Sequence, residues 1–202
     1  MHEYCKTIPG EGPAVWVFQR MTNPETPWTR LGYTCYPYLI PGKVDMAMIA
    51  AAFHRTDLAV PGLKIEPPGN RTLVTLPNYF AVDWSAEGFE PEELDTLDPG
   101  EWFGMQITIR PVLQSVTYDF GDGTREGPTT SVGGPYPSGD IVKTYASKGV
   151  YAVGADAVYK GYVMIDGSEW IEIPGEVSIP GPREDLTVLT ARTRLYLSLS
   201  GG

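Results

Sequence analysis

The 202 residues suffice for one large or two small domains with a sizeable core. A formal net charge of −10 excludes the basic footprint that nucleic acid or an anionic membrane surface demands, and suits a basic partner or a cation. A hydrophobic fraction of 42% rules out disorder, 23 glycines and 19 prolines point to many turns and few long helices, and no apolar run is long enough for direct membrane insertion.

Residues 1–12 are polar and glycine-rich. Met1-His2-Glu3-Tyr4-Cys5 has no basic segment followed by an apolar one, so an exported protein of this sequence is expected to have lost its signal peptide. Ala14–Arg20 is a strand candidate, Asn23-Pro24 and Thr26-Pro27 mark a turn, and Trp28–Tyr36 alternates as the returning strand. Pro41-Gly42 ends this hairpin. Asp45 then caps a helix expected to run to about Asp57. Met46, Ile49, Ala50 and Phe53 form its apolar stripe, a packing face rather than a cofactor site.

Leu63–Glu66 reads as a short strand and Pro67–Asn70 as a turn. Thr72–Leu76 is expected to open a β-sandwich, with Tyr79–Trp84 as another strand or an irregular edge. The expected organisation is a hairpin-plus-helix region over 1–64 and a sandwich domain over 65–202. Ser85–Pro99 is an acidic loop carrying Glu87, Glu90, Glu92, Glu93, Asp95 and Asp98. Trp102–Pro111 alternates, Pro111 marks a bulge or edge, and Val112–Tyr118 continues as a strand. Arg125–Asp140 is a long loop with Pro135-Tyr136-Pro137 as a stiff aromatic tip. Tyr151–Tyr159 and Tyr162–Ile165 are expected as strands, with Asp166-Gly167-Ser168 turning the chain into Trp170–Ile173. Val177–Ile179 and Leu186–Leu199 supply the last strands, and no internal repeat is present.

The most specific stretch is Tyr118-Asp119-Phe120-Gly121-Asp122-Gly123-Thr124. Its glycines supply positive φ, its aspartates can bond nearby backbone N–H groups, and Phe120 anchors it to a core. It reads as a rigid structural turn. Asp119–Thr124 resembles the hallmark of the PKD (polycystic kidney disease) domain. That family usually has Trp before the hallmark, where Tyr118 stands here, and follows with a His-Thr-Tyr strand, where Lys143-Thr144-Tyr145 stands here. Lys148–Val153 matches its next strand. The resemblance implies an immunoglobulin-like β-sandwich, with the hairpin and the helix preceding it. It implies an extracellular or cell-surface module for spacing, adhesion or binding of protein or carbohydrate. The wider pattern resembles exported actinobacterial proteins with a cysteine-containing N-terminal region, a group without a defined activity.

In that exported context, the even count of Cys5 and Cys35 favours a structural disulfide, the alternative being two unpaired buried thiols. Chemistry beyond binding finds little support. His2 and His54 are the two histidines, and neither a Gly-x-Ser-x-Gly elbow, a His-Glu-x-x-His motif nor a phosphate loop occurs. The acidic loop lacks the spacing of a calcium loop, so no cofactor is expected and calcium is the second reading. Tyr33, Tyr36 and Tyr136 are candidate contact residues for a sugar or protein partner, Tyr38 lying beside the first two. The expectation is a non-catalytic module. A structural subunit of a surface appendage comes next, and a carbohydrate hydrolase with paired carboxylates last.

Overall fold

A computed structural model describes residues 15–20, 24–34, 44–98, 102 and 105–192. The expected Cys5–Cys35 pair, Tyr36 and Tyr38 lie outside these residues. In chain order the elements are β1 (Val15–Gln19), β2 (Thr29–Thr34), α1 (Met46–Phe53), β3 (Pro61–Glu66), β4 (Arg71–Leu73), β5 (Asn78–Trp84) and β6 (Asp95–Thr96). They continue as β7 (Ile107–Asp119), β8 (Arg125–Thr129), β9 (Val142–Lys143), β10 (Gly149–Ile165), β11 (Ile171–Pro180) and β12 (Glu184–Leu189). The protein is mainly β, sandwich-like, with one helix among the described residues.

Two long antiparallel strands form the spine. β10 pairs with β7 from Gly154↔Asp119 to Ile165↔Ile107. On its other edge β10 carries β12 along Gly149–Val153 and β11 along Asp156–Val163. β7 likewise carries β6 near its start and β8 near its end. Along β10 the buried side chains alternate throughout: Val153, Ala155, Ala157, Tyr159 and Val163. Along β7 the alternation changes phase, from Ile107 and Ile109 to Val116 and Tyr118. The register shift at Val158/Tyr159 leaves exposed Gln114 as an extra residue on β7. That bulge moves the inward set by one position and keeps one face of the sheet apolar.

Two lids cover this face. Over one end lies the three-stranded sheet β3-β5-β9, and Leu63, Ile65 and Phe80 pack there on Val116, Tyr118, Phe120, Val153, Ala155 and Leu186. Over the other end lies α1, with Ile49, Ala52 and Phe53 packed on Ile107, Ile109, Ala157, Tyr159, Val163 and Ile173. Asp45 Oδ1 caps α1 by accepting from Met48 N at 2.8 Å, and the helix ends at Phe53, short of the expected Asp57. Its stripe packs inward as expected, with Met46 and Ala50 at the margin.

β3 runs across the position between 64 and 65 and pairs with β5 along its whole length. Three expectations about elements need correction. Thr72–Leu76 does not open the sandwich as a full strand. Only Arg71–Leu73 pairs, parallel to β12, because Thr75 takes a positive φ and turns the chain. Arg125–Asp140 is not one loop, since Arg125–Thr129 is β8, paired with β7. Tyr151–Tyr159 and Tyr162–Ile165 are one strand, with the irregularity at Lys160/Gly161 confined to the β11 side.

Candidate functional site

The Asp119–Thr124 turn is held by its own side chains. Asp119 Oδ1 accepts from Gly121 N at 3.0 Å, and Asp122 Oδ1 accepts from Thr124 N at 3.0 Å. Asp119 Oδ2 accepts from Arg125 Nε at 3.0 Å. Phe120 is buried, edge-on to Phe80 at 5.2 Å between ring centroids. Gly121 has φ +70, and a Cβ there would lie 2.7 Å from the Ala152 backbone, whereas Gly123, at φ +87, faces open space. Lys143 reaches Asp122 Oδ2 at 2.7 Å and lies over the Phe120 ring. The next residue but one, Tyr145, donates its buried hydroxyl to Phe120 O at 2.9 Å.

These bonds fix the ionisation of the turn. The Gly121 N–H bond, with Arg125 adding a hydrogen bond and its charge, holds the Asp119 carboxyl below the usual carboxylate range. Burial pushes Asp122 up, and hydrogen bonds from Lys143 and Thr124 more than offset it, so it too is lowered. All of their strong partners are internal. Among the described residues no three His, Cys, Asp or Glu side chains gather as a metal-holding set, and the acids of Ser85–Pro99 stay dispersed.

The site with binding geometry lies at the edge of the three-stranded sheet. Glu66, Pro67, Pro68, Leu76, Pro77, Tyr79 and Tyr136 enclose an open cleft of about 320 Å³. Each wall is set by a local feature. Pro67 and Pro68 begin the turn after β3. Leu76 and Pro77 follow Thr75, a β-branched residue at φ +65, a region it enters only when its surroundings hold it. The hold is visible: Thr75 N donates to Tyr145 O at 3.0 Å, and Leu76 N to Leu73 O at 3.2 Å. Below Tyr79, fully buried Asn78 donates from Nδ2 to Leu76 O and to Lys143 O, each at 3.0 Å.

Tyr136 arrives from the segment after β8, which is pinned along β5. Val82 N donates to Val132 O at 2.8 Å, Gly134 N to Phe80 O at 3.2 Å, and Phe80 N to Ile141 O at 3.0 Å. The approach is so close that a Cβ on Gly133 would fall 2.0 Å from Phe80 O, and Gly133 has φ +70, so only glycine fits. At the tip, Tyr136 N donates to Glu66 Oε2 at 2.8 Å. The Tyr136 ring stands 68% exposed and perpendicular to Tyr79, 5.4 Å between centroids. Two crossed tyrosines, three prolines and a leucine make an apolar groove with one carboxylate on its wall. The polar side-chain groups on its lining residues are the Glu66 carboxylate and the hydroxyls of Tyr79 and Tyr136.

Tyr136 therefore lies in the cleft, but Tyr33 does not join it. Tyr33 is on β2, exposed, and packs edge-on against Trp16 at 5.7 Å. Sequence reasoning missed Tyr79, Leu76 and the prolines. Pro67-Pro68 reads as the start of a turn, and only the structure brings the three segments together. Among the described residues no helix is long and apolar enough to cross a membrane. In comparisons with protein-family models, curated proteins and solved structures, nothing matches this chain.

Proposed function

We propose that the protein is a non-catalytic binding module that takes an extended, proline-bearing protein segment into the Tyr79/Tyr136 cleft. The observation that carries this is the cleft's lining: two perpendicular tyrosine rings among prolines, with Glu66 as the sole charged wall. Aromatic grooves bind preformed left-handed polyproline segments at low entropic cost, and a carboxylate beside the groove favours a basic flank. A sugar would ask for a fringe of hydrogen-bonding side chains around a ring, and glycoside hydrolysis for two opposed carboxylates; the lining has one carboxylate.

The immunoglobulin-like, PKD-like fold belongs to this reading. Its support is the Asp119–Gly123 turn joining β7 to its neighbours, and two sheets that share a core through Phe120 and Phe80. An extracellular or cell-surface setting follows from that resemblance, since such modules present loops on a rigid sheet frame.

Calorimetric titration of the full chain tests the reading. Two probes are compared: a synthetic peptide with a Pro-x-x-Pro core and an arginine flank, and a β-linked glucose oligomer. The peptide should bind, and Tyr136→Ala should abolish the heat. Binding of the sugar alone would replace the protein ligand with a carbohydrate. Binding of neither would remove the cleft as a site.

A further inference from the structure

The chain itself displays a segment of the kind the cleft is suited to take. Between β1 and β2, Pro24-Glu25-Thr26-Pro27 has Pro-x-x-Pro spacing, with Pro24 in a turn, Glu25 in a β-bridge and Thr26–Trp28 outside regular structure. Trp28 follows, 64% exposed. Arg20 braces this tip from below. Its Nη1 lies 3.0 Å from Glu25 Oε1, and its guanidinium sits over the Trp28 ring at 5.0 Å. Arg30 lies over Trp16 at 4.7 Å on the same hairpin. Such stacking holds an aromatic tip in one orientation while leaving its outer surface open.

Charge supports the match. Residues 15–34 carry Arg20 and Arg30 against Glu25, a net +1, so the remainder of this −10 chain carries −11. Arg20 is paired with Glu25 at 3.0 Å, so the net +1 of this proline-bearing hairpin rests on Arg30, two residues after Trp28, while the apolar cleft has Glu66 on its wall. The two do not meet within one chain. Trp28 is not among the cleft's lining residues, and both Trp28 and Tyr136 remain largely exposed.

We propose that the occupant of the cleft is the hairpin tip, Pro24–Trp28, of a second copy of this chain. The contact rests on the reading of the cleft as a protein-binding groove and names its partner. Each copy offers one tip and one cleft, so two copies can exchange tips in a closed two-fold dimer, or each tip can engage a different neighbour. In the second arrangement copies add head to tail, into a ring if the rotation closes and into an open string if it does not.

The test uses complementary variants of the full chain in sedimentation velocity. The parent should gain mass with concentration, stopping at a dimer if two copies exchange tips and growing further if they add head to tail. Trp28→Ala, lacking the tip, and Tyr136→Ala, lacking the cleft ring, should each self-associate at least about tenfold more weakly, as for central aromatic contacts. Mixed in equal amounts, they should form a one-to-one dimer and stop there. One intact tip then meets one intact cleft, with no further site left. Pro27→Ala with Leu76→Ala provides a second pair, used if either first variant melts at a lower temperature than the parent. A parent that stays monomeric, or a mixture no larger than its components, overturns the proposal. If the proline-rich probe still binds such a monomer, the cleft reading stands and self-docking alone is lost. If the probe also fails, both fall.

Discussion

The two ends of the β7–β10 spine are held in different ways. At the turn end a second sheet closes the core, and a polar frame surrounds it. Asp119 pairs with Arg125, Asp122 with Lys143, and Asp156 with Arg183 at 2.8 Å. At the other end an eight-residue helix is the lid. A helix that short is not stable alone, so it persists only through its buried face. The segment after it ties to the sheets by Tyr159 donating its hydroxyl to Ala59 O at 2.9 Å and Thr56 its hydroxyl to Asp95 Oδ2 at 3.1 Å. One end is specified by local hydrogen bonds, the other by apolar fit. The cleft sits at the first end, where the sheet can hold a strained approach such as Thr75.

The comparison breaks most directly at Phe53. This ring is fully buried and packs so tightly on Gly161 that a Cβ there would lie 2.9 Å from it. Phe53→Ala should cost about 3–5 kcal/mol in urea denaturation, the usual range for a buried aromatic. It should open the helix end first, seen as early loss of amide protection at Ile49 and Ala52. Protection lost equally at both ends would show that the two cores act as one unit.

At the turn, Gly121→Val should cost on the order of 1–3 kcal/mol for its positive φ, with a further penalty from the Ala152 backbone. Gly123→Val, strained but unobstructed, should cost less. Equal losses in melting temperature would refute the close approach as the cause.

Thr75→Gly should work in the opposite direction. Relieving a left-handed β-branched residue is worth about 1 kcal/mol, so the variant should melt higher while binding at the cleft weakens. A lower melting temperature would mean that Thr75 is not strained.

Acid should weaken the turn end more than the helix end, and the effect is the smallest of the four. Asp119 and Asp122 have folded pKa values lowered relative to the unfolded chain. Their contribution is fully present above the unfolded carboxylate value of about 3.9, and it is lost as the pH falls through the folded values. Both carboxylates are partly exposed, which screens the effect. Between about pH 5 and about pH 2 the urea midpoint should fall, and Asp119→Asn should blunt that fall. An identical pH profile in the variant would remove the carboxylate from the account.

How legible each end was in the sequence follows from how it is held. The turn was readable because Asp119, Gly121, Asp122 and Gly123 act on neighbours one or two residues away. The helix was readable from the spacing of Met46, Ile49, Ala50 and Phe53. β8 was not, because Gly127 and Pro128 are breaker residues, and the strand exists only by pairing with β7. The unity of β10 was hidden by Lys160-Gly161, and the phase change of β7 by one extra residue, Gln114. The cleft was hidden furthest. Its walls come from three segments between Glu66 and Tyr136, and their meeting depends on Gly133 lying against Phe80 O.

The central claim is that Tyr136 serves contact and not stability. Scanning and titration calorimetry on one preparation of Tyr136→Ala tests it most directly. Tyr136 is an exposed ring at the tip, so the variant should keep its stability within about 0.5 kcal/mol of the parent while the heat of binding the proline-rich peptide disappears. Binding unchanged from the parent, or binding lost only in step with a fall in melting temperature, would contradict the account.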